Sequence, residues 1–350
     1  MKKIQPKRHS RLNILIIKLS SLGDVLHNLP IVWDIRANHP NARIDWLVEE
    51  SYVSLLAPLL SKVDFKGIDN IIPIAMRRWK KNLLSEQMRK EWRAFRQNFQ
   101  TTQYDVVIET QGLLKAAWLT RLANRSTNAV IVGLGNATED SGYEPLVRWF
   151  YTDSVQVPLR CHAVERSRWV ATAALNMPLP KNQPQFYPPA FLKSLQLSAT
   201  SFKKPYVLFF HATARAAKQW SESNWITLGN ALTDKGNQVI LPWGNAQEKA
   251  VSQRISAQIA HSIVPPALKI EDWFGIIANA ALTVGVDTGL THLSAMMNTP
   301  TIELYCDSPR WKTEAYWSDN INNLGDTGQP PSLDAVLQSA EALLVDVLDA

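Results

Sequence analysis

Three stretches place reactive side chains directly after apolar, β-branched runs. In the first, Ser20-Ser21-Leu22-Gly23-Asp24 leads into a helix-like stretch that Pro30 breaks or delays. Gly23 allows a tight turn or the close approach of a ligand, and Asp24 stands at a helix N-terminus, a sensible place for a carboxylate base. Asp is equally a favoured N-cap, and spacing alone does not separate the two roles. In the second, His211-Ala212-Thr213-Ala214-Arg215-Ala216-Ala217-Lys218-Gln219-Trp220 offers small residues, a hydroxyl and two cations. That is the chemistry of a phosphate cradle, in which backbone N–H groups and Lys or Arg meet an anion; a solvated basic loop has the same composition. It is not a P-loop, because Gly-x4-Gly-Lys-Ser/Thr is missing. In the third, Val284-Gly285-Val286-Asp287-Thr288-Gly289-Leu290-Thr291-His292 ends a strand and begins a helix, so free N–H groups and the helix dipole would face an anion. Asp287 could instead bond a ribose or sugar hydroxyl, or simply cap the helix.

Other patterns are weaker. One Asp-Thr-Gly in an α/β setting does not make the paired carboxylates of an aspartic protease. AVIVGLG at 129–135 is not a dinucleotide fingerprint, since Thr138 holds the third glycine position and 139–145 open no helix. His162 and Glu165 lie one helical turn apart, but with no third ligand in view they are expected to pack or pair rather than bind metal. Cys161 and Cys306 are far apart and lack metal-ligand spacing, so a reducing cytoplasm is the default compartment.

Charge is concentrated. Arg77, Arg78, Lys80, Lys81, Arg89, Lys90, Arg93 and Arg96 oppose only Glu86 and Glu91, so 77–96 alone matches the whole chain's net +6. Met88, Trp92, Phe95 and Phe99 recur at helical spacing and predict an amphipathic helix with a cationic outer face. Arg77, Arg78, Lys80 and Lys81 directly follow a strand and are read as an anion-binding loop, with Trp79 set to contact a sugar or lipid.

The elements that must position these residues alternate in the manner of helix-covered parallel sheets. Strands are expected at 13–19, 43–48, 70–75, 104–108 and 129–132, then at 206–210, 238–241, 282–286 and 301–305. Pro178, Pro180, Pro184, Pro188 and Pro189 crowd the middle, where neither a helix nor a central strand tolerates them, and mark a domain boundary. A breaker region at 325–331 precedes a final amphipathic helix at 333–348. The 350 residues suit two domains, 1–180 and 190–325, with a cleft expected between the carboxyl ends of their sheets. With 46% hydrophobic and 19% charged residues, disorder and collagen-like repeats are excluded. No apolar run approaches a membrane span of about 18 to 20 residues. Lys18 cuts short the apolar run behind the basic N-terminus, so no export signal is read.

In order along nearly the whole chain, KLSSLGDVLHNLP (18–30), AMRRWKK (75–81), HAVER (162–166), HATARAAKQW (211–220), LPWGNAQE (241–248) and VDTGLTHL (286–293) resemble the lipopolysaccharide heptosyltransferases of glycosyltransferase family 9. AMRRWKK favours the type I branch over type II. The resemblance implies a GT-B fold, α/β, with two Rossmann-like domains facing a central cleft. The N-terminal domain would bind the acceptor and the C-terminal domain the ADP-sugar, with helix 333–348 packing back on the N-terminal domain. It implies inverting transfer of L-glycero-D-manno-heptose from ADP-heptose to the Kdo of Kdo2-lipid A in inner-core biosynthesis. Asp24 matches the family's base. Thr213 and Lys218 match positions over the pyrophosphate, Glu248 one that holds the nucleoside, and Asp287, Thr288, Gly289 and His292 the turn around diphosphate and sugar. Arg77, Arg78, Lys80 and Lys81 match the stretch that meets the acidic acceptor.

No metal or other cofactor is then required, because Lys218 and a helix N-terminus would neutralise the departing ADP. The implied partners are the donor, the acceptor and an anionic inner-membrane surface, not nucleic acid, and the implied location is cytoplasmic and peripheral at that membrane's inner face. The pattern departs at Ala214, where a second Thr is expected, at Tyr143, where Arg is usual, and at the unmatched basic residues 1–12. A type II enzyme acting on the first heptose, a GT-B nucleotide-sugar epimerase and a non-catalytic basic adaptor are the competing readings; the last leaves Asp24 and the Asp287 turn unexplained.

Overall fold

The computed structural model describes residues 11–82, 85–196, 202–203, 205–213 and 215–348; the basic residues 1–10 and Ala214 lie outside them. Apolar β-branched runs shielded on both faces form parallel strands, and here they build two six-stranded sheets. The first contains β1 (Asn13–Ile17), β2 (Arg43–Glu49), β3 (Asn70–Ile74), β4 (Tyr104–Glu109), β5 (Arg125–Leu134) and β6 (Asp153–Val155), in the order β3-β2-β1-β4-β5-β6. The second contains β7 (Tyr206–Phe210), β8 (Gln238–Ile240), β9 (Ser262–Ile263), β10 (Leu282–Val286), β11 (Thr301–Tyr305) and β12 (Ile321–Gly325), in the order β12-β11-β10-β7-β8-β9. All named pairs are parallel.

Both sheets therefore share one doubly wound order. The winding reverses between β1 and β4 in the first and between β7 and β10 in the second, and ligands of such sheets bind outside the carboxyl ends at these switch points. The chain divides into two compact units, Met1–Gln185 and Phe186–Ala350. Leu15, Ile17, Leu47, Val107 and Ile131 centre the first core, closed by Phe95 and Phe99 from helix Glu86–Phe99. Val207, Phe209, Val284 and Ile302 centre the second, under Trp220 and Trp225.

The α/β reading and every expected strand agree with the structure to within a few residues. The strands not foreseen, β6 (DSV), β9 (SI) and β12 (INNLG), are short or polar edge strands whose hydrophobic pattern is too brief to register. In the terminal helix, Leu333–Leu348, Val336, Ala340 and Leu343 fill the core of its own unit. Those residues share one helical stripe, and that stripe covers β10, β11 and β12.

Candidate active site

At the first switch point the strand β1 runs into Lys18, whose side chain is buried despite its charge. Its Nζ donates to the Thr110 carbonyl at 3.2 Å and lies 3.6 Å from Asp24 Oδ1. The loop that follows is fixed from β4's side: Gln111 Oε1 accepts from the Leu19 and Ser20 amides, each at 3.2 Å. Asp24 sits in the first turn of helix Leu22–Leu26, and its Oδ2 accepts from the Ser21 amide at 2.9 Å and the Ser21 hydroxyl at 2.8 Å. The capping and the chemical readings of Asp24 thus use different oxygens. Oδ1 is left facing Lys18 and Arg166, the latter 4.0 Å away, and the side chain is 37% exposed. Burial works to raise the Asp24 pKa, but Lys18, the Ser21 bonds and Arg166 outweigh it and hold the carboxyl well below the usual range. Gly23 is an ordinary helical residue, so the sharp turn expected there is not made by it.

Behind this loop lies a second carboxylate. Glu109 ends β4 with no exposure, accepts from the Tyr151 hydroxyl and takes the Gln111 amide at 2.5 Å and the Gly112 amide at 3.1 Å. Burial pushes its pKa up against those bonds. The Tyr151 ring reaches it over Gly133, where a Cβ would stand 2.3 Å from the ring.

At the second switch point Asp287 ends β10 and is used on both oxygens. Oδ2 takes the ammonium of Lys218, and Oδ1 accepts from His292 Nε2 at 2.9 Å. The other ring nitrogen of His292 donates to Glu303 Oε1 at 2.8 Å, and the fully buried Glu303 also takes the Tyr305 hydroxyl at 2.8 Å. Burial alone would lower the His292 pKa; Glu303 and Asp287 together raise it to about 10, so the ring is an imidazolium. Lys218, Asp287, His292 and Glu303 form a chain of alternating charge. Thr288 is the N-cap and Gly289 the first residue of helix Gly289–Met296, whose opening N–H groups have no intrahelical partner. Gly285 lets that helix settle on β10, since a Cβ there would meet Thr291 Oγ1 at 2.1 Å.

Thr213 and Glu248 line one pocket of about 450 Å³ in this unit, with His211, Trp220, Trp225 and Asn245. Glu248 lies in the first turn of helix Ala246–Ser256, where its carboxylate takes the Gly244 amide and Asn245 Nδ2, each at 2.7 Å. His211 donates to or accepts from Ser252 Oγ at 2.8 Å, and burial lowers its pKa to about 4, so it is neutral.

The basic loop is partly committed to structure. Arg78 is clamped by Glu50 and Glu91, and Arg77 donates to the Tyr52 hydroxyl at 2.9 Å. Lys80 and Lys81 are exposed. Trp79 does not await a ligand: it is buried, packs on Trp92 and Phe95 and donates to Glu91 at 2.6 Å. His162 caps helix Ala163–Leu175 and Glu165 pairs with Arg168, while no group of three potential ligands suited to a metal occurs among the described residues. Sequence reasoning passed over Lys18, Glu109, Gln111, Arg166 and Glu303. A lysine ending an otherwise apolar strand was the one available signal among them; Arg166 and the two glutamates became notable only when brought against Asp24, Tyr151 and His292.

Known proteins share this chain's sequence pattern and architecture. The family model for glycosyltransferase family 9 (heptosyltransferase) matches residues 92–341. The chain is 36% identical over 313 residues to lipopolysaccharide heptosyltransferase 1 of Pseudomonas aeruginosa, covering 89% of this chain and 83% of that one. Its structure is similar to that of the E. coli heptosyltransferase WaaC with ADP, at TM-score 0.81 and 32% identity over 95% of this chain and all of the other. The same enzyme with ADP-2-deoxy-2-fluoro heptose gives TM-score 0.76 and 33% identity, covering 95% of this chain and 99% of the other.

Proposed function

The chain belongs to glycosyltransferase family 9, the heptosyltransferases, and is a glycosyltransferase; from that premise we propose that it moves L-glycero-D-manno-heptose from ADP-heptose to the Kdo of Kdo2-lipid A, inverting the anomeric carbon. The observation that carries this reading is Asp24 at a switch point, ionised, with Oδ2 held by Ser21 and Oδ1 facing Lys18 and Arg166. Asp24 takes the proton of the Kdo hydroxyl as that oxygen attacks the anomeric carbon and the bond to ADP breaks.

A carboxylate with so low a pKa is a weak base, yet it suffices here. The attacking hydroxyl becomes strongly acidic as its bond to carbon forms, and a base that is charged at every working pH is always ready. Lys218 and the opening amides of helix Gly289–Met296 neutralise the diphosphate, with Asp287 and His292 holding the lysine in place until the donor arrives. Thr213 lies over the pyrophosphate of the donor and Glu248 holds its nucleoside. Lys80 and Lys81, with Arg77, meet the acidic acceptor; Arg78 acts mainly through its clamp. We propose that no metal is needed, since these cations supply the charge that a divalent ion would.

Among the described residues no helix is long and apolar enough to cross a membrane, and the proposed location is peripheral, at the cytoplasmic face of the inner membrane. Incubation with ADP-heptose and a Kdo-bearing lipid A precursor, with EDTA present, should add one heptose to the acceptor by mass spectrometry. Reaction only with an already heptosylated acceptor would replace type I by type II; turnover of the donor without any acceptor would favour an epimerase.

A further inference from the structure

The first unit exposes large apolar side chains where it is also basic. Helix Leu114–Leu122 buries Ala116, Ala117, Leu119 and Thr120, which leaves Lys115, Trp118 and Arg121 on the opposite stripe at three-residue spacing. The short 3-10 helix Pro145–Phe150 buries Val147 and turns Leu146, Arg148 and Trp149 outwards. Trp149 is 76% exposed, Leu146 48% and Trp118 41%. The two segments are one surface, because Arg121 Nη2 donates to the Trp149 carbonyl at 2.8 Å. Trp118 also stacks on Trp92 with ring centres 5.8 Å apart, joining the patch to helix Glu86–Phe99. There Arg89 and Arg96 lie one turn to either side of Trp92. The nearest carboxylate in the sequence, Glu144, is turned to the Leu114 amide at 2.5 Å, and Glu86 is the only other acid on these segments besides the clamped Glu91.

Tryptophan beside arginine suits one environment above others, the boundary between lipid headgroups and acyl chains: the indole body is apolar, its N–H is polar and the cations meet phosphate. Building on the lipid-linked acceptor proposed above, we infer that this patch docks the protein on an anionic bilayer, with Leu146, Trp149 and Trp118 at the interface and Lys115, Arg121 and Arg148 on the headgroups. Helix Leu114–Leu122 begins three residues after Gln111, which fixes the Asp24 loop. Lys115, in the first turn, is the part of the patch nearest the base, and Trp118 and Arg121 carry the patch on to the last turn of the helix.

The test is co-sedimentation with phosphatidylcholine vesicles with and without phosphatidylglycerol, beside heptose transfer to an acyl-free Kdo acceptor. Wild type should sediment with the anionic vesicles. Leu146→Ser/Trp149→Ser, at exposed positions that leave the core intact, should weaken that partition about tenfold or more. Its transfer to the soluble acceptor should match wild type. Lys115→Gln/Arg148→Gln should lose the preference for anionic over neutral vesicles. Partition unchanged in the first variant overturns the inference. So does a wild-type dimer, abolished by that variant, in a protein that binds no vesicles, because the patch would then join two copies of the chain. If wild type transfers no heptose at all while the vesicle results hold, the acceptor reading fails and the docking surface stands.

Discussion

The two switch points are variations on one arrangement, a lysine facing an aspartate with a buried glutamate behind, yet they are wired differently. In the second unit every oxygen of Asp287 is spent, on Lys218 and His292, and the carboxylate side chain is 11% exposed. In the first, Asp24 spends one oxygen on Ser21, while the other faces Arg166 at 4.0 Å and, at 3.6 Å, a lysine that is itself anchored to Thr110. Glu303 is coupled into its cluster through His292, whereas Glu109 is satisfied by Tyr151 and two amides and only supports the loop. The difference is what the proposed roles rest on, a base at Asp24 and a holder of the Lys218 cation at Asp287.

The sharpest way to break the comparison is to exchange charge for polarity at each aspartate. Asp24→Asn keeps the Ser21 contacts possible and removes the base, so turnover should fall about 10³-fold with ADP-heptose affinity unchanged by calorimetry. Near-normal turnover would mean that Asp24 is only a cap. Next in size is Lys218→Ala. Losing one preorganised cation at the leaving group should lower kcat about 10²-fold and weaken donor binding together, and unchanged kinetics would remove it from the donor site.

Lys18→Met probes the contrast from the side of the cation. It removes the charge that most opposes protonation of Asp24, and its anchor on Thr110. We expect kcat to drop about tenfold through loss of positioning, with the donor KM unchanged. The Asp24 carboxyl, followed by its carbon-13 resonance, should titrate closer to the ordinary range than in wild type. A donor KM that moved with kcat would place Lys18 in the donor site instead, and an unmoved resonance would free Asp24 from its control.

Much of this was legible in the sequence because the relevant physics is local. Central parallel strands are continuous apolar runs; Asp287 follows such a run immediately, and Asp24 and Lys218 stand in the segments that leave theirs, so topology delivers them to the carboxyl ends of the sheets. What stayed hidden depends on pairing between distant segments. Glu109 gains its meaning from Tyr151, forty-two residues on, and Arg78 is held by Glu50 and Glu91, which converge on it from two other segments. Trp79 was misread for a related reason. Standing in a basic run, it looks like a surface aromatic, but the amphipathic helix that follows folds back to bury it.

The mildest perturbation tests whether the second switch point is a structural clamp. His292 is protonated in the folded protein up to about pH 10, above its ordinary value of 6.5. Between those limits the unfolded chain has lost a proton that the folded chain keeps, so stability must fall as pH rises through this window, by at most about 1.4 kcal/mol per pH unit. Below 6.5 both states are protonated and the contribution is fully present. Asp287 has the opposite sign: its pKa is depressed, its contribution is present above 3.8, and it is lost only as acid approaches the folded value. Glu303→Gln removes the largest charge holding the proton on His292. Urea midpoints measured from pH 6.5 to 9.5 should therefore decline less steeply in the variant than in wild type, while kcat at pH 7 stays near normal because Asp287 still holds Lys218. An equally steep decline would assign the titration elsewhere, and a fall in kcat as large as that of Lys218→Ala would make the clamp part of the chemistry, erasing the contrast with Asp24.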